Sequence, residues 1–282
     1  MWEGKVKSIR ALERALDVLQ VLQDAKAMEL KDLHQATGLP KATLLRILST
    51  LQGRGLVWRR MADRAFLPSV AWRRRANPDD DEARLVEVAS PILERLCRRV
   101  SWPSILAASR LDSMEVIETN SPVAFVSHFP LGPIGFRINW LRSATGSAYL
   151  AYCSEGERAA ILARLQSSPH ACDAVARNEK WVTRRLAQVR QRGYGFRDAS
   201  FGGHFDKPRH EFDDGRDSIA MPIIAGDRVL GAVNLTWSTR VTDLDAFVAK
   251  HLRELRDATS KIAEAMREDA GAGTVAPAAR SR

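Results

Sequence analysis

The sequence predicts an α+β chain in two parts, an N-terminal winged helix-turn-helix joined by a linker helix to a domain with an antiparallel sheet. Three observations predict it. Residues 28–53 carry two apolar stripes at helical spacing, separated by a glycine. Residues 56–67 carry two β-prone runs around a polar turn, and residues 218–237 carry two longer ones around Ala225-Gly226-Asp227.

The amphipathic segment Ile9–Leu22, with Leu12, Ala15, Leu16, Leu19 and Leu22 on one side, reads as the first helix. Leu30, Leu33 and Ala36 give the second helix its stripe; Ala36 is small enough for close packing, and Gly38 can take the positive φ of the turn. In the third, Leu44, Ile47, Leu48 and Leu51 form the buried stripe, which leaves Lys41, Thr43, Arg46 and Thr50 outward. Leu56–Arg60 and Ala65–Leu67 then make a hairpin wing that turns at Met61–Arg64, with Arg59, Arg60 and Arg64 near its tip.

The basic run Arg73–Arg75 gives way to Asn77-Pro78 and three aspartates, a turn followed by acids suited to a helix N-terminus. The linker helix that follows carries Leu85, Val88, Ile92 and Leu96, and Pro91 should kink or divide it. Strands are expected at Ile105–Ala108, Met114–Ile117 and Val123–Val126, and helices at Ala144–Tyr152 and Trp181–Arg192, the second ending at Gly193. Strands Ser218–Ile224 and Arg228–Trp237 precede a last helix, Leu244–Met266. The boundaries are therefore 1–76, 77–103 for the linker and 104–268, with an Ala/Gly/Pro-rich tail, 269–282, expected to be disordered.

Charge narrows the function. The chain of 282 residues has a formal net charge of +9, and residues 1–76 alone hold fifteen Lys/Arg against seven Asp/Glu. A solvated basic face and a polyanion partner both fit that asymmetry; the helix-turn-helix favours double-stranded DNA. Arg46 can give a guanine edge two hydrogen bonds, Thr43 can meet a base or phosphate, and Lys41 can dock on a phosphate. No apolar run reaches the ~18–20 residues of a membrane span, and Asp17 and Gln20 interrupt Ala15–Leu22, so no signal peptide is expected. Three unpaired cysteines (Cys97, Cys153, Cys172) point to a reducing compartment, and a cytoplasmic location without membrane contact is expected.

Ser8–Ala71 resembles the DNA-binding half of IclR-family regulators, through Leu39–Leu48 (LPKATLLRIL) and Thr50–Val57 (TLQGRGLV). Ser143–Ala151 (SATGSAYLA), Arg192–Gly195, Ser218–Ile223 and Val229–Leu235 extend the resemblance, in family order, over about residues 8–265. Val100–Ser104 and Gly135–Gly146 are most similar to activators of phenylpropionate catabolism. Pro40 stands where relatives often cap the helix with Ser or Thr, Ser147 replaces a common Lys, and Asn139 falls where Pro is frequent. The resemblance implies a GAF-like effector-binding domain whose small-molecule cavity lies between sheet and covering loop.

The residues themselves support a polar-lined pocket: alternation places Leu230, Ala232, Asn234 and Thr236 on one strand face, and Val233, Leu235 and Trp237 on the other. A half-exposed face would show the same pattern. The family pattern adds Ala144, Thr145 and Ser218 to the wall. Arg137 and Arg142 flank the segment, and either could clamp a carboxylate; the resemblance to the phenylpropionate activators, with the mixed strand face of Leu230, Ala232, Asn234 and Thr236, implies an aromatic or arylalkanoic acid as the effector. No catalytic residue, metal ligand or cofactor is expected: HExxH, GxSxG and Walker patterns are missing, and no cysteine has the setting of a repair-transferase nucleophile. A ligand-independent winged-helix adaptor and a DNA-acting enzyme remain as alternatives. A homo-dimer or homo-tetramer is expected, because one recognition helix spans too few base pairs for genomic specificity; Ile9–Leu22 is the expected pairing helix.

Overall fold

The computed structural model describes residues 9–25, 27–69, 81–120 and 131–272, so the strand expected at Val123–Val126 lies outside the described residues. The chain divides into two compact units, Met1–Glu87 and Val88–Arg282.

The first unit holds α1 (Arg10–Ala25), α2 (Leu30–Thr37), α3 (Lys41–Gly53) and the antiparallel hairpin β1 (Val57–Arg59) and β2 (Phe66–Pro68). Its core gathers Val18, Leu19 and Leu22 of α1, Leu33 of α2, Leu44, Leu48 and Leu51 of α3, and Val57 and Phe66 of the hairpin. Each such side chain contributes about 1.5–3 kcal/mol by leaving water. Gly38 ends α2 in the left-handed region (φ +67°), its N–H donating to the His34 carbonyl at 3.0 Å. Pro40 starts α3 without a side-chain cap, a loss of about 1 kcal/mol against Ser or Thr.

Two expectations need correction here. Ala36 is exposed; along the roughly two turns of α2, Leu33 takes the buried place. The single stripe expected on α1 splits. Leu19 and Leu22 close the unit's own core, whereas Ile9, Leu12 and Leu16 are 67%, 54% and 55% exposed.

Helix α4 (Asp81–Val100) crosses the division between the units. Contrary to expectation it runs through Pro91 as one element, with the proline on an exposed position. Proline there removes one amide donor but fixes a helical φ, and the buried residues on either side (Ala89, Ile92, Leu93, Leu96) hold the helix together.

The second unit is built on a six-stranded antiparallel sheet in the order β5-β4-β3-β8-β7-β6: β3 (Ile105–Ser109), β4 (Met114–Thr119), β5 (Arg137–Ile138), β6 (Gly195–Phe196), β7 (Arg216–Ala225) and β8 (Arg228–Ser238). The β7–β8 hairpin turns at Gly226 (φ +64°) and pairs Ser218 with Thr236 and Ala220 with Asn234. Period-two alternation divides β8 as expected. Trp237 stacks on Phe247 of the C-terminal helix α8 (Leu244–Ala272) at 3.8 Å, while Asn234 and Thr236 face the other way. Helix α8 continues past Asp269, where the disordered tail was expected to begin.

Helices α5 (Ala144–Tyr152), α6 (Glu155–Gln166) and α7 (Glu179–Arg192), with a 3-10 helix at Ala171–Arg177, complete the unit. Every residue from Ala144 to Ala151 is buried, which explains the small-residue composition of the segment (ATGSAYLA). Gly146 is required there: a Cβ would lie 2.1 Å from the Trp140 carbonyl oxygen. Gly195 answers from β6, where a Cβ would lie 2.2 Å from the Ala144 oxygen.

Candidate functional site

On the first unit, α3 presents Lys41, Arg46 and Thr50 to solvent, with Thr43 half-buried; the Thr50 hydroxyl donates to the Arg46 carbonyl at 2.9 Å. A helix-turn-helix needs such a face, closed behind by Leu44, Leu48 and Leu51. The wing arginines are less equivalent than the sequence implies. Arg60 Nε donates to Asp63 Oδ1 at 3.0 Å and its guanidinium pairs with the second carboxylate oxygen, so it is spent on the turn. Burial alone would raise the Asp63 carboxyl, but Arg60 and the Ala65 N–H outweigh it and hold it below the ordinary range. Arg59 donates to the Arg64 carbonyl at 3.0 Å and lies over the Phe66 ring. Arg64 is exposed at the tip in the left-handed region, φ +60°.

The second unit holds a cavity of about 500 Å³. Ile105, Val116 and Ile138 of the sheet give it an apolar wall, and Leu131 and Phe136 extend that wall. Asn234, Thr236 and Ser218 enter from β8 and β7, and Ser143, Ala144 and Thr145 from the start of α5. Five residues expected from sequence (Ala144, Thr145, Ser218, Asn234, Thr236) are thus brought together; Leu230 and Ala232 are not among the lining residues. Ser143 caps α5, accepting from the Gly146 amide at 2.9 Å. Asn234 accepts from the Ile105 amide at 2.9 Å and donates to Thr236 Oγ1 at 3.2 Å.

The two arginines expected to clamp a carboxylate are not brought to the cavity. Arg137 pairs with Asp112 at 2.6 Å and lies 4.2 Å from the Phe205 ring centroid, and neither Arg137 nor Arg142 is among the lining residues. The Arg142 main chain instead braces the turn, its amide donating to Asn139 Oδ1 at 2.9 Å and its carbonyl accepting from Asp198 at 2.8 Å. Asn139 also donates to Asp173, and Ser147 donates to the Ala144 carbonyl, so both departures from the family pattern are buried structural groups.

The cavity takes its charge from residues the sequence reading missed: Arg197, Asp214 and Arg216. Arg197 follows Phe196, whose ring is met by the guanidiniums of Arg185 (3.9 Å) and Arg192 (4.2 Å). Its own guanidinium pairs with both Asp214 oxygens at 2.8 and 3.1 Å, and donates to Ser218 Oγ and the Arg216 carbonyl, each at 3.1 Å. That pair ties together the two ends of the loop 198–213, which covers the cavity with Phe201, Gly203 and Phe212. Arg216 reaches the cavity because it lies two residues before Ser218 on the same face of β7. Extending the expected strand by two residues would have found it.

The three thiols do not form a reactive centre. Burial raises Cys97, pushes Cys153 up to about 11 and raises Cys172 further, so each is held as the unreactive thiol at neutral pH. Among the described residues no three His, Cys, Asp or Glu side chains are grouped to hold a metal, and no helix is long and apolar enough to cross a membrane.

Two family models match the chain: the IclR helix-turn-helix domain over residues 11–60 and the bacterial transcriptional regulator IclR C-terminal domain over residues 81–264. Both describe transcriptional regulators rather than enzymes. The transcriptional repressor IclR of Escherichia coli is 26% identical over 259 residues, covering 88% of this chain and 89% of its own. The fold is shared with the Thermotoga maritima IclR structure (TM-score 0.52, 16% identity, 92% of this chain and 99% of that one). It is also shared with an IclR homologue from Microbacterium hydrocarbonoxydans complexed with 4-hydroxybenzoate (TM-score 0.50, 22% identity, 92% and 99%).

Proposed function

Because the chain belongs to the IclR family of transcriptional regulators, we propose that it binds operator DNA and that an aromatic or arylalkanoic acid in the second unit controls that binding. The genes it regulates would then serve catabolism of such an acid. The observation that carries the reading is the cavity of about 500 Å³, with an apolar wall wide enough for a ring and a cationic, hydrogen-bonding end. The 4-hydroxybenzoate bound by one structural relative supports the ligand class.

DNA contact is assigned to Lys41, Thr43, Arg46 and Thr50 of α3, with Arg59 and Arg64 of the wing. Arg60 is left to hold the turn. We assign residues 1–76 to DNA, 77–103 to the linker and 104–268 to the effector, with a homo-dimer or homo-tetramer as the working assembly. The uncovered Ile9, Leu12 and Leu16 side chains supply an apolar strip at i, i+3, i+7 for pairing two copies. Ligand then shifts an existing equilibrium of the oligomer between states of different DNA affinity.

Selection from a randomised duplex library tests the DNA half of this reading. The full chain should enrich an inverted repeat whose half-sites lie one helical turn, or a multiple of it, apart. Enrichment of no sequence, or of a single half-site by a monomer, would refute it.

A further inference from the structure

Among the described residues of the first unit, the large apolar side chains left exposed are Ile9, Leu12 and Leu16 at α1 and Leu45 on α3. We infer that Leu45 reads sequence, packing on the 5-methyl group of a thymine in the major groove beside the guanine that Arg46 can take. This rests on the proposed DNA reading of α3 and extends it to a second base.

The local geometry comes first. Leu44, Leu48 and Leu51 enter the core, whereas Leu45, one position on, is 49% exposed. A helix turns by about 100° per residue, so Leu45 lies at the edge of the outward face and Arg46 nearer its middle. Its neighbours one turn away include Ala42 and Ser49, both exposed and too short to cover a leucine. Lys41, also one turn back and exposed, adds a charge beside it. None of the thirteen residues of α3 is acidic, and the helix belongs to the basic segment 1–76. The leucine therefore stands on a surface whose charge suits a groove walled by phosphates.

The chemistry of the groove then selects the base. Base edges there present hydrogen-bond acceptors and amino donors, and one apolar group, the thymine methyl. Leucine laid over an amino group or a guanine oxygen would take a polar edge from water without supplying a hydrogen bond. Over the methyl, two apolar surfaces leave water together. Adjacent side chains of one helix meet neighbouring base pairs, which puts the thymine within about two base pairs of the guanine.

Selection from the randomised duplex library, run in parallel on the full chain and on Leu45→Ala, tests the inference. The wild type should enrich a thymine within about two base pairs of the guanine. Leu45→Ala should keep the guanine and lose the preference for thymine; Leu45 lies outside the core and alanine favours helix, so the fold should survive. Replacing that thymine by deoxyuridine in the selected duplex removes the methyl group alone. Fluorescence anisotropy should show the wild type weakened about fourfold for each half-site substituted, and Leu45→Ala unaffected.

A guanine enriched without a nearby thymine would overturn the inference and leave the DNA reading standing. So would deoxyuridine that weakens both proteins equally or neither. If Leu45→Ala changes the oligomeric state in light scattering while deoxyuridine changes nothing, the leucine meets a second copy of the chain and the inference fails. Enrichment of no sequence at all would overturn both.

Discussion

Gly146→Ala is expected to destabilise the second unit by about 3 kcal/mol, lowering its melting temperature by about 10 °C. The added Cβ would meet the Trp140 carbonyl carbon at 2.6 Å and its oxygen at 2.1 Å. Backbone cannot swing aside as a flexible side chain would. The turn that brings Trp140 there is itself pinned, Asn139 Oδ1 accepting from the Leu141 and Arg142 amides and the Ser143 hydroxyl donating to the Asn139 carbonyl. Ala144 and Thr145, in the same first turn of α5, line the cavity, so the damage should reach ligand binding too. Gly156→Ala is the control: it lies in α6 with nothing within 4 Å of the added carbon, so the higher helix propensity should stabilise by about 0.5–1 kcal/mol. Differential scanning calorimetry reads both, and equal melting temperatures for Gly146→Ala and wild type would refute the close-approach account of this glycine.

Arg46→Ala is expected to weaken binding to the selected duplex by about 1–3 kcal/mol, or roughly five- to 150-fold, and to a scrambled duplex far less. Arg46 is exposed on the outward face of α3, and its guanidinium can meet two acceptors on one guanine. Arg64→Gly should behave differently. It removes a tip charge and relieves a left-handed backbone position (φ +60°), so both duplexes should lose affinity alike and the salt dependence should flatten. Fluorescence anisotropy at two salt concentrations separates the roles. An equal loss on both duplexes for Arg46→Ala would make it a phosphate contact.

What the sequence disclosed follows from the range of the forces involved. Stripes such as Leu44, Leu48 and Leu51, and the two faces of β8, are set by local periodicity and are visible in one dimension. The turn glycines Gly38 and Gly226 are equally local, since each answers to its own φ. Helix α6 escaped because it buries only Ile161 and Leu165, too few to mark a stripe, and β5 and β6, of two residues each, have no period. Pro91 misled because tertiary packing on both sides outweighs one missing hydrogen bond.

The surroundings of the arginines were hidden for a related reason. Arg137 is close in sequence to the α5 wall, but its charge is settled by Asp112, twenty-five residues away in the chain, and by Phe205. Arg197 lies seventeen residues from Asp214, and no spacing rule reveals such a pair. Alternation would have revealed Arg216, had the strand been begun two residues earlier.

The central claim is that ligand in the cavity changes the grip on DNA. The direct measurement is anisotropy of the labelled selected duplex titrated with the full chain, with and without saturating 3-phenylpropionate. The account predicts a shift in Kd of about fivefold or more. If calorimetry shows the acid bound while the Kd for DNA is unchanged, the chain would be a ligand-independent winged-helix adaptor and the account would be contradicted.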